Sequence, residues 1–259
     1  MRQRRDLQSS SPTTSPLLIK LIAANVVLYV LYLVGLRLGL PYLDRLLLVP
    51  QEVLTEGALW QLVTSVFLHD PVAPGHLLWN MVLLWMFGTQ LEALRGTRSM
   101  LQVYAAGALG GALFTVAFGG LTHLLAPADS VVSGWWSAAH LGASGAINGI
   151  FACWAGTLWR QRVTFMFLGE LEARTFFTIF LGIELLGALS LGGGVSVTSH
   201  LGGMAVGLAI GRDWLNLRRI RLKLERRRIE AELSRLAKER ERKGFQVIRG
   251  GKDQGDLES

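Results

Sequence analysis

Ser144, His200, His76 and Asn80 are the residues of this chain whose types and spacing suit acyl-transfer chemistry. A serine hydroxyl is a weak nucleophile until an adjacent base takes its proton. A neutral histidine is the side chain best matched to that task near neutral pH. Ser144 lies in "HLGASGAINGIF" (140–151), and His200 opens "HLGGMAVG" (200–207). His76 and Asn80 are four residues apart, so on a helix they share one face. Each has a simpler reading: serine among glycines serves packing, and asparagine can bridge two helices. Their weight depends on whether the surrounding elements bring them together.

Those elements are apolar helices. The chain has 259 residues, 51% hydrophobic and 17% charged, with a net charge of +7. That balance points to an all-α polytopic membrane protein. Six stretches, 17–36, 76–94, 99–119, 139–159, 175–191 and 197–214, approach the length of a membrane-spanning helix, so a compact six-helix bundle is expected over 17–214. The first carries Lys20 at its start and is read as an uncleaved span rather than a signal peptide. Residues 1–16 read as a disordered tail, and 215–259 as a basic helix with a disordered end. The segment 37–75 is broken by Pro, Glu and Gly, and is expected to form short interfacial helices as a first external loop.

Charge sets the expected orientation. Arg95, Arg98, Arg160, Arg162, Arg174 and the basic tail fall on the same side as both termini, whereas the opposite side has only Arg37 and Arg45. The positive-inside rule therefore puts both termini in the cytoplasm. A basic helix beside anionic inner-leaflet lipid accounts for the tail better than nucleic acid, so a lipid bilayer and no nucleic acid are the expected partners. Leu215, Leu222, Ile229 and Leu236 share one heptad position, but the companion position is mostly charged and argues against a coiled coil. The lone Cys153 excludes a disulfide framework and a cysteine metal site.

In this topology the second, fourth and sixth spans run in the same direction. His76, Asn80, Ser144 and His200 then all sit about one to two helical turns below the outer surface. Gly142, Gly145 and Gly149 on one span, and Gly203, Gly207 and Gly211 on another, offer small-residue faces along which two backbones can approach. If those faces meet, Ser144 and His200 come within reach. The soluble hydrolase elbow is excluded, because Ala146 stands where that pattern needs glycine. No acidic partner for His200 is evident, so a two-residue Ser144–His200 site is the economical expectation. Glu184, in the fifth span, could line a substrate gate, pair with a polar neighbour or reach the outer water, and the last is the default expectation. His140 would lie one turn before Ser144 on the same helix, without a means of orienting it; His69 and His123 have no assigned role. A metal on His76 and His200 lacks a third ligand, so no metal and no cofactor are expected.

With those residues in place, the chain resembles the rhomboid intramembrane serine proteases. "HLLWNM" (76–81), "GASGAING" (142–149) and "HLGGMAVG" (200–207) are similar to that family's His-x-x-x-Asn, Gly-x-Ser-Gly and His-x-x-Gly motifs, supported by "FLHD" and "EALRG". The resemblance implies Ser144 as nucleophile and His200 as general base. It also implies His76, Asn80 and the Ser144 backbone amide as an oxyanion hole, with Gly142 shaping the turn. The implied substrates are single-span membrane proteins whose helices unwind readily, and a bacterial inner membrane is the expected location. Three departures stand out: Gln61 where the family often has arginine after Trp60, Asn148 where many members carry an aromatic that stacks on the histidine, and Glu184, for which the resemblance implies no role. The alternatives are a catalytically weak or inactive client-binding relative and, from another class, a small transporter or channel.

Overall fold

Proline opens three of the helices of this chain, and a side-chain cap opens the first. The computed structural model describes residues 14–127, 130–165, 169–189, 194–214 and 217–242. The first helix, α1 (Pro16–Arg37), begins where the Ser15 hydroxyl accepts from the Leu18 amide and proline occupies the first turn. Short α2 (Pro50–Thr55) and α3 (Gln61–Thr64) follow in the connecting loop, and α4 (Pro74–Arg95) again starts on a proline. Gly96, at φ 83°, turns the chain sharply into α5 (Thr97–Leu125). A non-glycine residue would be strained at that angle. Then come α6 (Ser144–Thr157), α7 (Ala173–Leu189) and α8 (Gly194–Gly211).

Among the described residues, α1, α4 and α5 are each long and apolar enough to cross a bilayer, and Val197–Gly211 is a shorter apolar helix. Large apolar side chains such as Val27 and Leu31 on α1, and Trp79 and Trp85 on α4, are exposed. Such surface belongs in lipid, and the molecule is a mostly helical integral membrane protein. The 14 residues of α6 reach only about 21 Å.

The centre of the bundle is α6, whose residues from Gly145 to Gly156 are all buried. A short helix apolar on every side belongs in a core. It packs against α8 through glycine. A Cβ added at Gly203, Gly207 or Gly211 would run into the backbone of Gly145, Gly149 or Cys153, respectively. The expected meeting of two small-residue faces is therefore present. On another side, Phe87, Phe151, Trp154 and Phe176 form a contiguous aromatic cluster joining α4, α6 and α7. At the end of the bundle away from Ser144, the Arg95 guanidinium donates to Thr157 Oγ1 (3.2 Å) and the Ile210 carbonyl (3.4 Å), and pairs with Asp213 (3.5 Å). One cation thereby ties the C-terminal ends of α6 and α8 to α4.

Three expectations change. Residues 139–143 are not helical: His140 forms an antiparallel bridge with Leu48, and Gly142 takes φ 116°, so the fourth helix starts at Ser144. His140 is consequently not on the helix of Ser144. Between α6 and α7, Arg162–Phe165 (β1) and Gly169–Glu172 (β2) pair as an antiparallel hairpin, with Arg162 opposite Glu172, in a segment expected to be loop alone. Finally, residues 14–16 already belong to the ordered bundle, with the Trp85 indole donating to Thr14 Oγ1 at 3.0 Å. The rest of the expected N-terminal tail, and the expected disordered end after 242, lie outside the described residues.

The chain divides into two units, 1–214 and 215–259. Within the second, α9 (Leu217–Arg242) carries the ion pairs Arg221–Glu225, Arg226–Glu230 and Arg235–Glu239 at i,i+4 spacing. Such pairs support a solvated helix by a few tenths of a kcal/mol each.

Candidate active site

The loop between α1 and α4 builds the platform on which Ser144 rests. Gln61 is fully buried in it. Its Oε1 accepts from the Val49 amide (2.9 Å), while Nε2 donates to Glu52 Oε2 (2.6 Å) and the Arg45 carbonyl (3.3 Å). The Trp60 indole donates to that same carbonyl at 2.8 Å. The departure at Gln61 thus leaves the loop anchored: an amide, with a donor and an acceptor, satisfies both kinds of loop group. From this loop Leu48 exchanges two backbone hydrogen bonds with His140 (2.8 and 2.9 Å), and the Ser65 carbonyl accepts from the Gly142 amide (2.9 Å). The strand-like pairing and the positive φ of Gly142 force the chain to turn, so that Ser144 opens α6.

The side chains of α4 face that turn. A Cβ built on Gly142 would lie 3.1 Å from His76 Nε2 and 3.8 Å from Asn80 Nδ2, so only glycine leaves room there. Asn80 is 5% exposed, and its Nδ2 has no hydrogen-bond partner among the described residues. A buried amide donor left open costs on the order of 1–3 kcal/mol unless something accepts from it. Behind His76, the His69 ring packs edge-on at 5.3 Å, and Tyr29 packs on His69 at 6.1 Å. The Tyr29 hydroxyl donates to the Asp70 carbonyl (3.1 Å), which holds this aromatic ladder against the loop.

His69 has a testable consequence for stability. Burial, reinforced by the neighbouring His76 ring and opposed by the Phe67 backbone, pushes its pKa down to about 4. The folded chain therefore resists a proton that the unfolded chain takes up near pH 6.5, and stability falls as pH drops from about 6.5 towards 4. The full loss is on the order of 3 kcal/mol. Thermal unfolding in detergent should show wild type losing stability between pH 7 and pH 4.5, with His69→Phe losing clearly less.

Two cavities meet at Ser144. One, of about 460 Å³, is lined by groups including Ser65, Asp70, His140 and Ser199. The other, of about 280 Å³, is mostly apolar and holds Asn80, Asn148, Glu184 and His200. His76 and Ser144 line both. The four residues singled out in the sequence thus share the smaller cavity, from three helices. Among the described residues no hydrogen bond joins the Ser144 hydroxyl to His200, whose ring is bonded to Glu184. The Asn148 amide donates to the Ser144 carbonyl (2.9 Å), back onto its own helix.

Glu184 is where sequence reading fell short. It does not simply reach outer water: its Oε2 lies 2.8 Å from His200 Nδ1, and the two side chains are 15% and 17% exposed. An ionisable residue inside an apolar helix was itself the available signal, because such a group is costly unless paired. Its partner is 16 residues away across the α7–α8 connection, beyond any local pattern.

Comparison with known proteins identifies related chains. The Rhomboid domain family matches residues 56–216, well over half of the chain. The chain is 31% identical over 152 residues to RHOMBOID-like protein 12, mitochondrial, of Arabidopsis thaliana, covering 58% of this chain and 45% of that protein. It is 26% identical over 171 residues to Rhomboid protein 1, mitochondrial, of Saccharomyces cerevisiae, covering 66% and 45% respectively. YdcA of Bacillus subtilis is 26% identical over 155 residues, covering 60% of this chain and 66% of YdcA. The chain spans about half the length of the two mitochondrial relatives.

Proposed function

The chain belongs to the rhomboid family, and from that premise we propose that it is an intramembrane serine endopeptidase acting through Ser144 and His200. One observation carries the reading: from three helices, a serine, a histidine base, His76 and the unsatisfied Asn80 donor line one cavity beside the Gly142 turn. In this mechanism Ser144 Oγ attacks the scissile carbonyl carbon while His200 takes its proton. The resulting oxyanion is held by His76, the free Asn80 Nδ2 donor and the Ser144 amide. His200 then protonates the leaving amine, and water hydrolyses the acyl-enzyme. The larger, more polar cavity supplies that water, solving the problem of hydrolysis within lipid. Substrates are single-span membrane proteins. Helix-weakening residues near the cut favour them, because an intact helix keeps its carbonyls hydrogen-bonded.

In the same proposal α1 and α4–α8 are six transmembrane helices, both termini face the cytoplasm of a bacterial cell, and the basic α9 lies against anionic lipid. No cofactor enters the reaction.

Purified full-length protein in liposomes, given a tagged single-span substrate with a helix-destabilised segment, should release two fragments. Within that assay Asn80→Ala should lower kcat about 10²- to 10³-fold with little change in KM, as expected for a donor used mainly in the transition state. The unmade Ser144–His200 hydrogen bond favours a second reading, in which the protein binds membrane clients without cutting them. Folded wild type that captures several such substrates and cleaves none would establish that reading instead.

A further inference from the structure

We propose that Glu184 is the positioning residue of the base, converting the serine–histidine pair into a Ser144–His200–Glu184 relay; this rests on the protease reading above. The contact is direct, at 2.8 Å between Glu184 Oε2 and His200 Nδ1. A carboxylate can only accept, so the shared proton belongs to Nδ1. A neutral imidazole has one N–H, and placing it at Nδ1 leaves the lone pair at Nε2. That is the basic nitrogen on the far side of the ring from Glu184. A free imidazole exchanges between tautomers and rotates; one tied to an acceptor does neither freely. When the ring takes the Ser144 proton it becomes a cation, and an adjacent carboxylate then stabilises it where little water reaches.

The surroundings agree with this role. Glu184 occupies "LGIELLGAL" on α7, a run that offers it no other charge. It lines the smaller cavity together with His200, Ser144 and Asn148. The titratable groups facing His200 there are Glu184 from α7 and His76 from α4, while α6 contributes the non-titrating Ser144 and Asn148. Asn148 is turned onto the Ser144 carbonyl, and Glu184 is the group hydrogen-bonded to the His200 ring.

The alternative is an ion pair that merely fastens α7 to α8, and kinetics separate the two. Glu184→Gln should lower kcat about 10²-fold while KM stays within about threefold. Glu184→Asp should recover part of the rate. Unchanged kcat would overturn the proposal.

A second measurement needs no substitution at Glu184. In wild-type protein labelled with ¹⁵N-histidine, the His200 signals, assigned by their loss in His200→Ala, should report a proton on Nδ1 near neutral pH. A proton on Nε2 would overturn the proposal. Wild type that cuts no substrate yet carries the Nδ1 proton would remove the protease reading and with it the catalytic use of Glu184, while an active wild type with the Nε2 proton would remove Glu184 alone.

Discussion

Ser144→Ala and His200→Ala should each reduce cleavage of a single-span substrate by about 10⁴-fold or more, to background in a gel assay, and the double variant should be no worse than either. Nucleophile and base act as one unit: without the hydroxyl there is nothing to deprotonate, and without the base the hydroxyl stays a poor nucleophile. Non-additivity is the discriminating part. Two residues that only shaped the cavity would contribute separately, and their losses would multiply. His123→Ala is the control. His123 stacks on Trp136 at 4.5 Å and lines neither cavity at Ser144, so activity should stay within about threefold. Binding of the substrate, measured by co-purification, should survive in the Ser144→Ala variant. Cleavage persisting in Ser144→Ala would remove the mechanism altogether.

The second large effect concerns stability. Gly207→Ala places a methyl group into the backbone of Gly149, with no flexible side chain available to give way. The helices must part or bend, and overpacking of this kind costs roughly 1–3 kcal/mol or more. Gly182, on α7, has nothing within 4 Å of its would-be Cβ. There the same substitution should stabilise by about 0.5–1 kcal/mol, through reduced freedom of the unfolded chain. Opposite signs for one chemical change can be read from thermal unfolding of both variants in detergent. Equal effects would mean that the α6–α8 approach is looser than the glycine contacts require. Because that approach also brings Ser144 and His200 onto one cavity, Gly207→Ala should lose activity in step with folded protein.

How much of this was legible beforehand depends on the range of the interaction. Helix-length apolar runs and glycines every fourth residue are local patterns, and they marked out α1, α4, α5 and the α6–α8 contact. The spacing of His76 and Asn80 put both on one helix face, and the expectation of a shared depth for the four polar residues rested on hydropathy and the charge rule.

Other features were decided by contacts between distant segments. The stretch 139–143 has the apolar character of a helix, yet Leu48 and Ser65 draw its backbone into strand-like pairing and Gly142 supplies the turn. Nothing within those five residues announces a partner some ninety positions earlier. Gln61 reads as an ordinary polar residue until the loop closes around its amide and supplies three polar neighbours at once. Glu184 reads as a carboxylate seeking water until α7 and α8 pack and present His200 Nδ1 to it. Hydropathy and helical periodicity report how each segment meets its solvent. Which donor meets which acceptor is settled by tertiary packing, because a buried polar group takes whatever partner the fold brings within hydrogen-bonding distance.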